Sequence, residues 1–524
     1  MTLPPTQTPA TSRSTTAILV ILIVAVAILY AFRLDHTPPY LHRDEAVFAL
    51  QSASVAATGR DMSGRLLPLY FEMPLLREHV WFQPMLVYVT AALLQVLPLS
   101  QSAVRLPSAA IGTLDVLLLY FLASRLFCSR WYGLAAAILL ALTPAHVIHS
   151  RLAMDFIYPL PFVLGWLLCL VIYVERPRLL VLFAGTSLLG IGFYSYIASV
   201  MMMPIYLLLT WYTLFATSTR SARPYVAAAA GFAWPLIWLA VWLPAHASLV
   251  ADTLARYHIS SGILRPTALT DRISVYWRFF DPAFLFLVGG YTRMTNSTRL
   301  VGVFLLPLMV FIPLGIMHIA NRRRMPIAVV ILLGFFLAPI AAVLAAPEEP
   351  YASDRELALL PFGVLIATFG IQRLLSQSDR RRTAALGLLV MVPLHFLAFE
   401  LHYFGDYHRR SAFWFEWNRL GGLEQVIERA SNNERPIFLS NGDDKMMEAY
   451  WRLALMKHHR EALLQRTTYF DARQIGIADL PTGALLLINR RDAALAQAVA
   501  SGQLHQLDAI PEPGDPPYFF VVER

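Results

Sequence analysis

Two carboxylates stand side by side in His42-Arg43-Asp44-Glu45, shortly after an apolar run that ends near Phe32. At such a boundary Asp44 or Glu45 suits a general base that deprotonates a hydroxyl or amine for attack on an activated carbon. The same pair also suits a solvated interfacial acid couple. A third acid, Asp155, closes His149-Ser150-Arg151-Leu152-Ala153-Met154-Asp155 at the mouth of another apolar run. An unpaired carboxylate there is costly enough to favour a partner. Arg151 supplies a nearby cation, although an arginine at a helix end also snorkels with no further duty. Arg77, His79, Arg105 and Arg355 complete the set of candidate cations. An arginine fork donates two parallel hydrogen bonds to a phosphate, compensating charge on a phosphate leaving group, and a salt bridge to a neighbouring acid would use the same donors.

The elements that must position these groups are mostly apolar. The chain has 524 residues, 57% hydrophobic and only 15% charged, against roughly 25% charged in soluble globular proteins. Apolar runs near the ~20 residues needed to cross a bilayer recur from Ala17 to His402. Candidate spans lie near residues 17–32, 106–127, 133–149, 157–174, 179–197, 199–217, 225–246, 300–320, 326–346, 357–375 and 383–402, about eleven in all. A further segment, 84–98, is short and proline-bounded and reads as a re-entrant or interfacial helix. If it does not cross, the loops holding Arg125 and Arg130, Arg176 and Arg178, Arg220 and Arg223, Arg322 to Arg324, and Arg380 to Arg382 all fall on the cytoplasmic side, as the positive-inside bias requires. The opposite face then receives residues 33–105, the 149–156 turn, the 247–299 loop, the 347–356 turn and the C-terminal part, and chemistry is expected there.

From about residue 405 the apolar runs shorten to a few residues between polar stretches. Pro436 to Leu439, Ala484 to Ile488 and Tyr518 to Val522 read as strands, with a helical Asp444 to Met456 between the first two, the pattern of a small α/β domain. The expected organisation is a transmembrane domain over 1–404 and an extracytoplasmic α/β domain over 405–524. The net charge of +8 sits in short interhelical loops, which makes it a topology signal and excludes nucleic acid as the partner. Neither Cys128 nor Cys169 sits where a disulfide or metal site would form. No P-loop or GxGxxG occurs, and the cytoplasmic loops are too short for a nucleotide-binding domain, which argues against ATP-driven transport and nucleotide-sugar use. Asp115, inside a span, is expected to face the bundle interior. Asp271 to Phe280 alternates basic and aromatic residues like a helix lying on the membrane surface.

Several of these segments fall in the order of a known superfamily: Arg43-Asp44-Glu45-Ala46, Gly59-Arg60-Asp61, Arg105-Leu106-Pro107-Ser108-Ala109 and Ser150-Arg151-Leu152-Ala153-Met154-Asp155, then Asp281-Pro282-Ala283-Phe284-Leu285-Phe286 with Gly289-Gly290. Over residues 15 to 405 the chain resembles the GT-C superfamily, specifically glycosyltransferase family 39 and its bacterial relatives that glycosylate lipid A, lipopolysaccharide core or proteins. The resemblance implies inverting transfer of a monosaccharide from a polyprenyl-phosphate carrier to a lipid, glycan or protein acceptor at the extracytoplasmic face of a bacterial inner membrane, with no metal or other cofactor. It puts Asp44 at the acceptor as base, gives Asp155 a supporting role, and leaves the carrier phosphate to basic residues, for which Arg105 and Arg355 are the first choices. Many relatives open the re-entrant helix with Lys-Pro-Pro, whereas this chain reads Trp81-Phe82-Gln83-Pro84-Met85; Arg77 or His79 would have to substitute for the lysine. A lipid or glycan transporter would instead need charges along a path across the bilayer, and a noncatalytic envelope-assembly subunit would use Asp44 and Asp155 for binding alone.

Overall fold

Apolar runs in a bilayer must satisfy their backbone internally, so they fold as helices. The computed structural model describes residues 13–73, 80–256, 266–291, 293–321, 325–345, 355, 357–377, 379–430, 434–441, 446–473 and 476–524. Each of the eleven expected segments contains an apolar helix or a broken helix pair. Among the described residues six are long and apolar enough to cross a membrane: Gln101–Leu126, Asp155–Glu175, Ser199–Ala216, Ala222–His246, Pro326–Leu344 and Asp379–Phe404. A seventh arises if Arg130–Ala141 and Pro144–Ser150, bent by 64°, count as one span; Pro144 cannot donate to the helix before it, which accounts for the break. Thr15–Ala31, Leu179–Gly192, Leu308–Ala320 and Leu359–Leu375 are shorter apolar helices. Met85–Leu94 has 10 residues, about 15 Å of helix and half of a hydrocarbon core. The protein is a multi-pass membrane protein.

The chain divides into two compact units. The first comprises Met1–Phe32, Phe82–Leu86 and Ser108–His402; the second comprises Arg33–Trp81, Val87–Pro107 and Tyr403–Arg524. The first unit is held by backbone-close helix crossings at glycines. A Cβ on Gly315 would stand 1.9 Å from the Ile366 carbonyl oxygen, and one on Gly370 2.1 Å from that of Phe311, so Leu308–Ala320 and Leu359–Leu375 meet with no room between them. Gly190 and Gly231 bring Leu179–Gly192 and Ala222–Ala233 together in the same way. With lipid as apolar as the side chains, such close packing rather than hydrophobic transfer holds helices together.

In the second unit a five-stranded sheet has the order β2-β1-β3-β5-β4, with β1 Ile437–Ser440, β2 Thr467–Phe470, β3 Leu485–Asn489, β4 His505–Ala509 and β5 Phe519–Glu523. β1 runs parallel to β2 and β3, and β5 antiparallel to β3 and β4. The buried run Leu485, Leu486, Leu487 and Ile488 makes β3 its centre. The second unit is larger than the C-terminal α/β domain expected from sequence, because the first interhelical segment joins it. The helix Arg43–Thr58 buries Ala46, Val47, Phe48, Ala49 and Leu50 and packs on Met446–His458.

Gly315→Val is expected to force the Leu308–Ala320 and Leu359–Leu375 pair apart and cost about 1–3 kcal/mol. Gly387→Ala, inside the helix Asp379–Phe404 with nothing within 4 Å of its Cβ position, should not destabilise and should gain up to about 1 kcal/mol; thermal unfolding of the detergent-solubilised protein compares them.

Candidate functional site

His42 caps the helix Arg43–Thr58: its Nδ1 accepts the Asp44 backbone N–H, while Glu45 reaches back to accept the His42 backbone N–H at 2.9 Å. This capping box turns the two adjacent acids in different directions, because successive helical residues are about 100° apart. Glu45 is fully buried. Its two oxygens accept from Arg105 Nε and Nη2, both at 2.8 Å. Arg105, also fully buried, donates its remaining N–H groups to the carbonyls of Leu34, Pro38 and Tyr40 at 2.9, 2.8 and 2.6 Å. Five donors meet five acceptors. Every N–H of Arg105 is therefore engaged and Glu45 is desolvated and paired, an arrangement that supports a structural role for both rather than the phosphate-binding and basic roles expected of them. The Gly59-Arg60-Asp61 segment is structural too. Gly59 ends the helix at φ +68, and the buried Asp61 carboxylate accepts the backbone N–H groups of Ser63 and Arg65 and pairs with the Arg65 side chain.

Asp44 is left available. Its side chain is 45% exposed, and His42 Nδ1 lies 3.6 Å from its carboxylate. Arg43, one position before it, pairs with Glu416 at 2.6 Å.

In the first unit Arg151 is fully buried and donates Nη1 to the Leu29 and Tyr30 carbonyls and Nη2 to that of Phe32. It thus caps the C-terminal end of Arg13–Ala31, where carbonyls lack helical partners and a cation complements the dipole. These bonds support a structural role for Arg151 beside the ligand role expected of it. Asp155 is buried and starts the turn Asp155–Ile157 that leads into its span, placing a carboxylate at a helix N-terminus. Asp115 does face the bundle interior: its carboxylate lies 3.5 Å from His146 Nε2, and His146 Nδ1 lies 2.9 Å from the Tyr30 hydroxyl, which also reaches the Ala141 carbonyl. Arg355 is half-buried. Arg77 and His79 lie outside the described residues.

One cation was missed as a candidate site residue. Arg272, in the helix Pro266–Arg278, is 8% exposed; its Nη1 donates to the Val343 and Leu344 carbonyls at the end of Pro326–Leu344, and its Nε is buried with no partner among the described residues. No carboxylate pairs with it there. The signal was its spacing: Arg272, Val275 and Phe279 share the buried face, while Leu269, Ile273 and Trp277 are exposed. The surface-helix expectation for this segment holds for one face only. Among the described residues no group of three His, Cys, Asp or Glu side chains is arranged to hold a metal.

Residues 82–242 match the family model of dolichyl-phosphate-mannose-protein mannosyltransferases. The structure of ArnT from Cupriavidus metallidurans bound to undecaprenyl phosphate superposes with a TM-score of 0.58 at 13% identity, covering 97% of this chain and 98% of ArnT. The chain has the GT-C fold. The Archaeoglobus fulgidus oligosaccharyltransferase in complex with zinc and sulfate is similar with a TM-score of 0.53 at 13% identity over 83% of this chain. This chain spans 61% of that enzyme's length. The archaeal oligosaccharyltransferase AglB from Archaeoglobus fulgidus, in complex with an inhibitory peptide and a dolichol phosphate, gives 0.50 at 12% identity over 84% of this chain and 64% of its own. No curated protein matches in sequence.

Arg105→Met should cost about 3–5 kcal/mol by stranding Glu45 as an unpaired buried charge. Pairing it with Glu45→Leu should recover most of the loss in thermal unfolding. Glu512 supplies a pH handle. Burial is the largest influence on it and, against the opposing Asn418 N–H, pushes its carboxyl up from 4.5 to about 7. Protons are held more tightly in the folded state, so stability present below about pH 4.5 is lost as pH rises through about 7. Glu512→Gln should flatten that fall, read as thermal midpoints between pH 5 and 8.

Proposed function

We propose that this protein is a glycosyltransferase that moves a monosaccharide from a polyprenyl-phosphate carrier to an acceptor hydroxyl or amine, with inversion at the anomeric carbon. The observation that carries the reading is the division of labour within one dipeptide: Glu45 is locked to Arg105, while Asp44 keeps a half-exposed carboxylate with no arginine on it among the described residues. A base needs that freedom. Asp44 takes the acceptor proton as the acceptor oxygen or nitrogen bonds to the anomeric carbon, and the bond from that carbon to the carrier phosphate breaks, releasing polyprenyl phosphate.

The leaving phosphate gains negative charge and needs fixed donors. Arg272 is the best-supported of them, since its buried guanidinium meets no carboxylate among the described residues and calls for an anion. Arg355, Arg77 and His79 are further donors in this reading, and Asp155 orients substrate at the start of its span. Similarity to ArnT bound to undecaprenyl phosphate and to AglB with a dolichol phosphate supports a lipid-phosphate donor. The arginine-bearing loops support an orientation with Asp44 and the C-terminal domain on the extracytoplasmic side, the periplasmic face of a bacterial inner membrane.

Purified protein in lipid, given a panel of polyprenyl-phosphate sugars and membrane extract, should transfer labelled sugar. Asp44→Asn should lower transfer by about 10³-fold or more at unchanged donor affinity. Arg272→Gln should weaken donor binding by about 10- to 100-fold. Wild-type rates in Asp44→Asn would remove the mechanism.

A further inference from the structure

The parallel strands of the second unit end in a group of oxygen donors that the transfer reaction leaves unused. The chain runs from β1 to one neighbour, β2, and comes back past it to the other, β3, so the strand order reverses at β1. Ligands of open α/β sheets enter at the carboxyl ends of the strands where such a reversal occurs. β1 ends at Ser440, β2 is followed by Asp471, and the loop after β3 carries Asp492. The Asn441 N–H donates to the Phe470 carbonyl at 2.8 Å, which sets Asn441 one residue from Asp471. Ser440 is 1% exposed, and its hydroxyl faces the Asp492 carboxylate without a well-aligned hydrogen bond to any described residue. Asn441 Oδ1 is also buried and receives no donor there. Asp492, 9% exposed, precedes the helix Ala493–Ala500 but makes no side-chain cap bond to it. One of its oxygens accepts the Asn489 N–H at 2.9 Å. Burial is the largest influence on its carboxyl and raises it, the nearby Asp471 carboxylate adds to the rise, and no basic side chain pairs with it among the described residues.

We infer that Ser440, Asn441, Asp471 and Asp492 form a cation site at the carboxyl edge of the sheet, and that it takes calcium. Two carboxylates with an amide and a hydroxyl oxygen are hard ligands, and the set offers no imidazole or thiolate to favour zinc. Calcium accepts irregular sets of about six to eight oxygens, completed by backbone carbonyls and water, whereas magnesium demands near-octahedral geometry. A buried carboxylate with a second one close by is the charge such a cation offsets. Asp471 is paired with Arg473 at 2.9 Å, but Arg473 is 68% exposed, so that pair is screened by solvent and readily exchanged. The ligands come from the ends of β1, β2 and β3, so the cation ties three strands together. Its role is to stiffen the sheet, and it stands apart from the transfer chemistry.

The test uses the full-length protein in phosphatidylcholine nanodiscs, treated with EDTA and exchanged into metal-free buffer. Calcium, magnesium and zinc chlorides are then titrated in, with binding heat and the thermal midpoint as readouts. Calcium is expected to bind with a Kd of about 10⁻⁵ to 10⁻³ M, at least about tenfold more tightly than magnesium, and to raise the midpoint as it saturates. Asp492→Asn and Asp471→Asn should each weaken calcium binding by about tenfold or more, and Ser440→Ala by about threefold. Asp515→Asn, which removes an exposed acid outside the site, should bind like the wild type. In EDTA the Asp492→Asn variant should unfold at or above the wild-type midpoint, since it removes a buried charge, and this shows that its loss of binding is not a loss of fold. Asp44→Asn should take up calcium like the wild type, so failure of transfer and failure of this site are read separately. No heat and no shift with calcium in the wild type, wild-type affinity in both aspartate variants, or tighter binding of magnesium or zinc would overturn the site.

Discussion

A single buried guanidinium closes the segment that presents Asp44. Arg105 gathers three backbone carbonyls from residues 34 to 40 and both oxygens of Glu45 onto one planar fork. The chain leaving the first helix is thereby bent back against the start of the helix Gln101–Leu126, and the N-terminus of Arg43–Thr58 is pinned at its third residue. A buried ion pair is poor evidence of net stability, since two desolvated charges must first be offset by their attraction. Its value here is geometric. With Glu45 fixed, Asp44 points elsewhere by helical rotation, and Arg43 is directed to Glu416.

Arginine recurs in this structural capacity. Arg105, Arg151 and Arg272 all spend donors on main-chain carbonyls where helices or turns end. Carbonyls at a helix C-terminus lack partners, and in or near a bilayer water is not at hand to supply them. The guanidinium, with five donors and a weakly held hydration shell, is the side chain best fitted to that task. What separates Arg272 from the other two is the balance of charge. Arg105 has Glu45, and Arg151 lies within electrostatic reach of Glu400. Among the described residues Arg272 has carbonyls only, and dipoles do not neutralise a cation.

The second unit shows why the first interhelical segment and the C-terminal sheet act together. Tyr450, on the helix Met446–His458, donates its hydroxyl to the Leu41 carbonyl at 2.7 Å, just before the cap at His42. His42 meets Phe415 edge-on, and Glu416 holds Arg43. The residues around Asp44 are thus supported from two parts of the chain more than 350 positions apart.

Apolar run length, arginine placement and the shortening of the apolar runs beyond residue 404 determined much from sequence alone: a multi-pass helical protein, a short segment at 84–98 read as re-entrant or interfacial, and a small α/β region at the end. The bilayer makes these legible, because it permits few spanning structures and penalises charge by position. The ordered motifs also pointed to the GT-C fold. Tertiary structure decided what each charged residue does. Asp44 and Glu45 are chemically near-identical neighbours, and Arg105, Arg151 and Arg272 are the same residue type. Their roles diverge because burial and the count of donors against acceptors depend on contacts 60 to 122 residues away, which no local pattern encodes.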